Sequence, residues 1–247
     1  MRNNPHEAHL PRGRHLLELV AQEYETILLS FSLGKDSIAA WITMREVFDT
    51  GIIPLYRYIV PGLSFIEESI DYFERYFKTR IIQLPHPATY RMFNNGVFQY
   101  PWNMAVIQAC GFLEPTYQQV NEAACEIVGA DYKKAVNAVG VRASDSAIRT
   151  VAVRRHGVII RSKQTFYPIW DWTMDDIVEA IQKHKVKLPV DYRMFGRSFD
   201  GLYWRYVIPI KQHYPKDYDL LCRYFPQLDA EIARYQFQMK RRGIMPP

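Results

Sequence analysis

The chain has 247 residues, 48% of them hydrophobic and 23% charged, which is enough apolar surface for a sizeable core and excludes a disordered polymer. Its length fits one large domain, alone or with an appendage, and no run approaches the ~18 apolar residues of a membrane span. The 31 Lys and Arg exceed the 26 Asp and Glu by five, a mild excess that suits anionic ligands and equally suits plain solubility.

The opening MRNNPHEAHLPRGRH lacks the apolar centre of a secretory signal, so a cytoplasmic chain is expected. Residues 1–12, with Pro5 and Pro11, read as a flexible arm, and His6 and His9 stand as H-E-x-H, one residue short of the zinc-protease spacing. Then RHLLELVAQEY sets Leu16, Leu17, Leu19, Val20 and Tyr24 at helical spacings. TILLSF, residues 26–31, is a short apolar run of the kind buried in a parallel sheet. IAAWITMREVFDTG predicts a helix of three or four turns closed by Gly51. IPLYRYIV, residues 53–60, is a second strand ended by Pro61-Gly62. In SFIEESIDYFERYFK, Ser64 is an N-cap with Glu67 as its capping-box partner, and TRIIQL is a third strand. This alternation predicts an α/β, doubly wound, mostly parallel sheet whose ligands sit beyond the carboxyl ends of its strands.

Residues 86–134, broken by Pro87, Asn94-Asn95-Gly96 and Pro101, read as an insertion with one helix over 116–128 that shapes a second substrate pocket or a homodimer surface. AVNAVGV, residues 135–141, is a fourth strand, 151–167 reads as a β-ribbon, and Thr173 caps a helix over DDIVEAIQKHK. The main domain then spans 13–202 and a Tyr-rich extension spans 203–247. Cys110, Cys125 and Cys222 form no C-x-x-C pair and are read as core residues.

Between the first strand and its helix lies Ser32-Leu33-Gly34-Lys35-Asp36-Ser37. Such a turn offers backbone N–H groups and a helix dipole to an anion, with Gly34 letting the main chain approach. Ser32 and Ser37 add hydroxyl donors, Lys35 adds a cation, and Asp36 is a Mg²⁺ ligand beside a polyphosphate. The Walker A pattern G-x-x-x-x-G-K-[ST] does not fit, and an ordinary polar-capped turn is the competing reading.

LLSFSLGKDS resembles the S-G-G-x-D-S loop of the PP-loop ATP pyrophosphatase superfamily, and its frame resembles the PAPS reductase (phosphoadenosine phosphosulfate reductase) branch. GLSFIEESIDY, GVRASDSAIR and FYPIWDWTMDDIVEAI resemble three further segments of that branch, with Asp145 where Glu is usual. The resemblance implies a Rossmann-like fold of the adenine nucleotide alpha hydrolase type with a helical C-terminal extension. It implies ATP cleavage between the α and β phosphates and adenylylation of an acceptor, with ATP and Mg²⁺ bound. A PAPS-like nucleotide is the alternative ligand, and sulfonucleotide reduction or non-catalytic nucleotide or nucleic-acid binding are the alternative functions. The family's Glu-Cys-Gly-Leu-His thiol segment and paired cysteines are absent, so no iron–sulfur cluster is expected and the reductase route is disfavoured.

Carried onto this chain, the nucleotide contacts are Ser32, Leu33, Gly34, Lys35, Asp36 and Ser37, with Tyr58, Ile59 and Val60 lining the adenine and Gly140 and Arg142 across the crevice. Lys35, Asp36, Arg142 and Arg149 are the expected catalytic residues, because guanidinium forks match phosphate bidentately. Leu33, where the family has glycine, narrows the backbone angles open to the loop. Arg149 has a second reading as a surface residue, and Asp145 and Ser146 as simple helix caps. The basic Lys240, Arg241 and Arg242 motivate the nucleic-acid alternative. No membrane partner is expected, and the acceptor is unidentified by sequence.

Overall fold

Six strands and twelve α-helices occupy the described residues, 10–48 and 51–243, of this computed structural model. Residues 1–9 of the expected arm, with His6 and His9, lie outside them. In order the elements are α1 (Gly13–Glu23), β1 (Thr26–Ser30), α2 (Lys35–Met44), β2 (Ile52–Tyr58), α3 (Ser64–Phe77), β3 (Ile82–Pro85), α4 (Pro87–Asn94), α5 (Asn103–Cys110) and α6 (Tyr117–Ile127). They continue with β4 (Ala135–Ala138), α7 (Ala147–His156), β5 (Ile159–Ile160), β6 (Thr165–Phe166), α8 (Met174–Lys183), α9 (Val190–Phe195), α10 (Trp204–His213), α11 (Pro215–Tyr224) and α12 (Asp229–Arg241).

The strands form one sheet in the order β3-β2-β1-β4-β6-β5. β1 runs parallel to β2 and β4, β4 runs parallel to β6, and the edge strand β5 is antiparallel to β6. This is the expected mostly parallel α/β class, and α10 to α12 are its helical extension. Chain order leaves β1 toward β3 on one side and β4 on the other, so the switch point lies between β1 and β4. The loops after those two strands are therefore placed at one crevice.

Strand alternation explains how the sheet is buried. Leu28, Leu55 and Ala135 turn to one face and pack with Ile82 against Val120, Ala124 and Cys125 of α6. On the other side of β1, Ile27 and Leu29 are fully buried as well, which is why this strand reads as a continuous apolar run. Phe31 meets Trp41 edge-on with ring centroids 4.9 Å apart, and Trp41 stacks on Phe77 at 3.8 Å.

The chain divides into two compact units made of interleaved segments: residues 1–57, 73–84 and 118–188, and residues 58–72, 85–117 and 189–247. The first carries nearly all of the sheet. In the second, Phe65, Phe195, Phe199 and Tyr206 form an aromatic core of edge-on contacts.

Several elements differ from expectation. Gly51 does not close α2, which stops at Met44; its carbonyl instead accepts from the Ile27 N–H at 2.8 Å and serves the sheet. Residues 151–167 are not a ribbon throughout, because α7 occupies them up to His156 and only β5 and β6 pair. Ser146 decides this: its side chain accepts from the Arg149 N–H at 3.2 Å and caps a helix whose Val151 and Val153 look strand-like in sequence. The stretch 86–134 holds three helices rather than one. Ser64 is the first residue of α3, and its hydroxyl donates to Asp217 at 2.8 Å.

Candidate nucleotide site

The loop from Ser32 to Ser37 leaves the carboxyl end of β1 and enters α2, which places the positive end of the helix dipole at the loop. Local hydrogen bonds fix its shape. Ser37 Oγ donates to the Gly34 carbonyl at 2.8 Å, the Ile38 N–H donates to the same carbonyl at 3.0 Å, and the Gly34 N–H donates to Ser32 Oγ at 3.3 Å. Gly34 has φ −79°, a value any residue adopts. The left-handed residue is Leu33, at φ 58° with its side chain fully buried. A leucine there stores about 1–2 kcal/mol of backbone strain, which the burial of its side chain offsets.

Across the crevice, the turn after β4 brings Gly140 against the start of α2. A Cβ on Gly140 would lie 2.9 Å from the Asp36 carbonyl carbon and oxygen, so only glycine permits this approach. The same turn delivers Arg142, 5% exposed, to Asp36. Arg142 Nε stands 2.9 Å from Asp36 Oδ1, yet the pair is too poorly aligned for a hydrogen bond and both atoms are buried without one. Lys35 Nζ holds the other oxygen, Asp36 Oδ2, at 2.7 Å.

The charge pattern continues outward. Arg142 Nη2 donates to Asp145 Oδ1 at 2.6 Å, and Arg149 Nη1 pairs with Asp145 Oδ2. Lys35, Asp36, Arg142, Asp145 and Arg149 thus form a row of alternating sign, running from the partly exposed start of α2 through the buried Arg142 to the exposed first turn of α7. Each anion lies between two cations, so the row keeps one net positive charge and is fixed before any ligand arrives.

All the expected phosphate-site residues meet here: Ser32, Leu33, Gly34, Lys35, Asp36, Ser37, Gly140, Arg142 and Arg149. Arg142 is a buried strut between two carboxylates, and Arg149 is the exposed end of the row. Asp145, read from sequence as a cap, is the joint of the network; the signal was its spacing, three residues after Arg142 and four before Arg149. Tyr58, Ile59 and Val60 belong to the second unit. There the Tyr58 carbonyl accepts from the His86 N–H at 2.8 Å, the Ile59 carbonyl accepts from Thr89 Oγ1 at 3.1 Å, and burial raises the Tyr58 hydroxyl pKa.

A second polar group escaped the sequence reading. Ser30, Arg57 and Asn137 end β1, β2 and β4 on the face that carries Leu28, Leu55 and Ala135. Arg57 donates to Ser30 Oγ at 3.1 Å and to Asn121 Oδ1 of α6 at 2.5 Å, and Ser30 Oγ donates to Asn137 Oδ1 at 2.8 Å. The register shows it: on this face Ser30, Arg57 and Asn137 each follow a buried apolar residue two positions earlier.

Residues 26–192 match the family described as the phosphoadenosine phosphosulfate reductase domain. The chain belongs to this family. No curated protein matches it. Among solved structures it is similar to the U34-tRNA thiolase NcsA from Methanococcus maripaludis, at 11% identity over 86% of this chain and 77% of that one, with a TM-score of 0.43. It is also similar to the NH3-dependent NAD synthetase from Campylobacter jejuni, at 11% identity over 94% and 95% of the two chains, with a TM-score of 0.44.

One cofactor expectation is corrected. The lack of paired cysteines gave an expectation of no iron–sulfur cluster, whereas the thiolase structure is described with its [4Fe-4S] cluster. In this PAPS reductase domain Cys110 is exposed rather than in the core, Cys125 is buried with its pKa pushed up to about 11, and burial raises the half-buried Cys222 thiol. Among the described residues no helix is long and apolar enough to cross a membrane.

Proposed function

We propose that this family member binds ATP on the Ser32–Ser37 loop, cleaves it between the α and β phosphates, and transfers the adenylyl group to an acceptor. The observation that carries this reading is the pre-assembled row of alternating charge from Lys35 to Arg149 at the start of a helix that follows a sheet strand. An acceptor oxygen attacks the α-phosphorus, the bond to the bridging oxygen breaks, and pyrophosphate leaves with the electron pair. Charge gathers on the leaving oxygens, so fixed dipoles and cations supply most of the stabilisation.

Within this scheme Ser32, Ser37 and the α2 amides hold the pyrophosphate, with Leu33 and Gly34 shaping the loop around it. Lys35 neutralises charge on the leaving group, Arg142 positions Asp36, and Arg149 meets the acceptor side. Asp36 Oδ1, a hard oxygen donor lacking a hydrogen bond, fits Mg²⁺, which would screen the polyphosphate when bound. Thiol-based sulfonucleotide reduction is the less supported reading, because burial raises the Cys222 thiol pKa and so disfavours the nucleophilic thiolate.

Incubation with ATP labelled at the α-phosphate tests the proposal. Labelled AMP or an AMP adduct should appear with pyrophosphate, and Asp36→Ala should slow pyrophosphate release by about 100-fold. Appearance of ADP and orthophosphate in its place would refute the scheme.

A further inference from the structure

The net charge of this protein has an address. Residues 146–170 contain five of the 31 Lys and Arg and no Asp or Glu, so the remaining 26 basic residues match the 26 acidic ones. The five are Arg149, Arg154, Arg155, Arg161 and Lys163, and all are exposed.

Topology divides them between two edges of the sheet. α7 starts beside Asp145, past the carboxyl end of β4, and its chain then reaches Val158, whose carbonyl accepts from the Tyr167 N–H just past the carboxyl end of β6. Both ends of α7 are thus anchored at the ligand edge. The turn between β5 and β6 lies at the other edge: Gln164 donates to the carbonyls of Tyr132 and Ala135, where β4 begins, and Arg161 pairs with Glu23 at the end of α1. Arg149, Arg154, Arg155 and the exposed His156 therefore line the edge that carries the phosphate loop, while Arg161 and Lys163 do not.

α7 is also bound loosely to the body of the protein. Val153 is its one buried residue, while Ile148 and Val151 are 82% and 59% exposed. A helix held this way presents its side chains outward and contributes little to the core.

We infer that α7 is the docking surface for a nucleic-acid acceptor that reaches the adenylylation site past Arg149, with Arg154 and Arg155 holding it from neighbouring sides of the helix; this rests on the function proposed above. The six helical steps from Arg149 to Arg155 rise about 9 Å, whereas successive phosphates of a strand advance about 3.4 Å. That length suits a run of phosphates and exceeds what one small anion occupies. Three arginines supply the charge, and their planar forks match phosphate oxygens. The exposed face lacks the Trp, Phe and Leu with which a basic helix enters a lipid surface.

The test uses the full chain without ATP and a fluorescein-labelled single-stranded RNA of about 20 nucleotides, its DNA counterpart and the DNA duplex, titrated between about 50 and 200 mM KCl. The natural protein should bind at least one probe with affinity that falls steeply with salt. Arg154→Gln with Arg155→Gln should weaken binding about 10-fold or more and reduce the log–log salt slope by about 1.5. The charge-matched pair Arg161→Gln with Lys163→Gln, at the opposite edge, should leave both unchanged. Equal losses in the two double variants, no loss in the first, no salt-sensitive binding by the natural protein, or tighter binding to anionic phosphatidylserine vesicles through Arg154 and Arg155 would each overturn the inference. Calorimetry with ATP on the same proteins keeps the two ideas apart: retained ATP binding without nucleic-acid binding defeats docking alone, and the reverse defeats the nucleotide site.

Discussion

Leu33 and Gly140 set the shape of the proposed phosphate loop in opposite ways, and substitution should separate them. Leu33→Gly relieves about 1–2 kcal/mol of left-handed strain but removes a fully buried side chain worth about 3–5 kcal/mol, so the protein loses stability while the loop keeps its course. ATP affinity should then stay within a few-fold, with thermal unfolding several degrees lower. Gly140→Ala puts a methyl 2.9 Å from the Asp36 backbone and must displace the start of α2, at an overpacking cost of about 1–3 kcal/mol. There calorimetry should show ATP affinity falling about 10-fold or more. Affinity following stability equally in both variants would mean that the loop does not hold the nucleotide. The meeting of these residue types was legible in sequence, because Ser, Lys, Asp and Ser fall together on one strand-to-helix turn. Its angles were not. The glycine-like backbone falls on Leu33 rather than Gly34, and the joint of the charge row is Asp145, whose partnership with two arginines depends on how the turn after β4 folds back.

At the level of elements, α3 shows a cap supplied from far along the chain. Asp217 of α11, 4% exposed, accepts from the Ser64 N–H at 2.9 Å, from Ser64 Oγ at 2.8 Å and from the Phe65 N–H at 3.4 Å. A carboxylate there also answers the positive end of the helix dipole. Asp217→Ala leaves these donors buried without an acceptor and should cost about 1–3 kcal/mol. Urea denaturation would show a lower midpoint at unchanged slope, and Asp217→Asn should recover part of the loss. An unchanged midpoint for the alanine variant would show that water replaces the cap. The same contact explains why the Ser64 capping box was misread: S-x-x-E is a local signal, and a distant carboxylate took the serine hydroxyl. α7 was misread for a related reason. Its alternating valines favoured a strand, and the Ser146 cap with its first-turn hydrogen bond favoured a helix. Strands β1, β2 and β4 were legible because burial on both faces writes an apolar run directly into the sequence.

Across the whole molecule, stability against pH is a contest between surface carboxylates and buried ones. The Arg161 guanidinium holds Glu23 below the ordinary carboxylate range, and the Thr173 backbone and hydroxyl do the same for Asp176. Both groups are close to solvent, so each adds little stability as pH rises. Asp191 acts in the opposite sense. It is 1% exposed, and burial pushes its pKa up to about 6 from 3.8 even though the Phe199 N–H donates to Oδ2 at 2.8 Å. A raised carboxylate pKa means that the folded state holds the proton more tightly than the unfolded state. Its stabilising contribution is complete below about pH 4 and is lost as pH rises through about 6, and a shift of about two units corresponds to at most about 3 kcal/mol. Asp191→Asn keeps an acceptor for the Phe199 N–H and has no proton to lose. Its unfolding temperature should exceed that of the natural protein by several degrees at pH 7, with the gap closing between pH 6 and 4. A gap that stays constant over this interval would trace the difference to packing around residue 191 rather than to its charge.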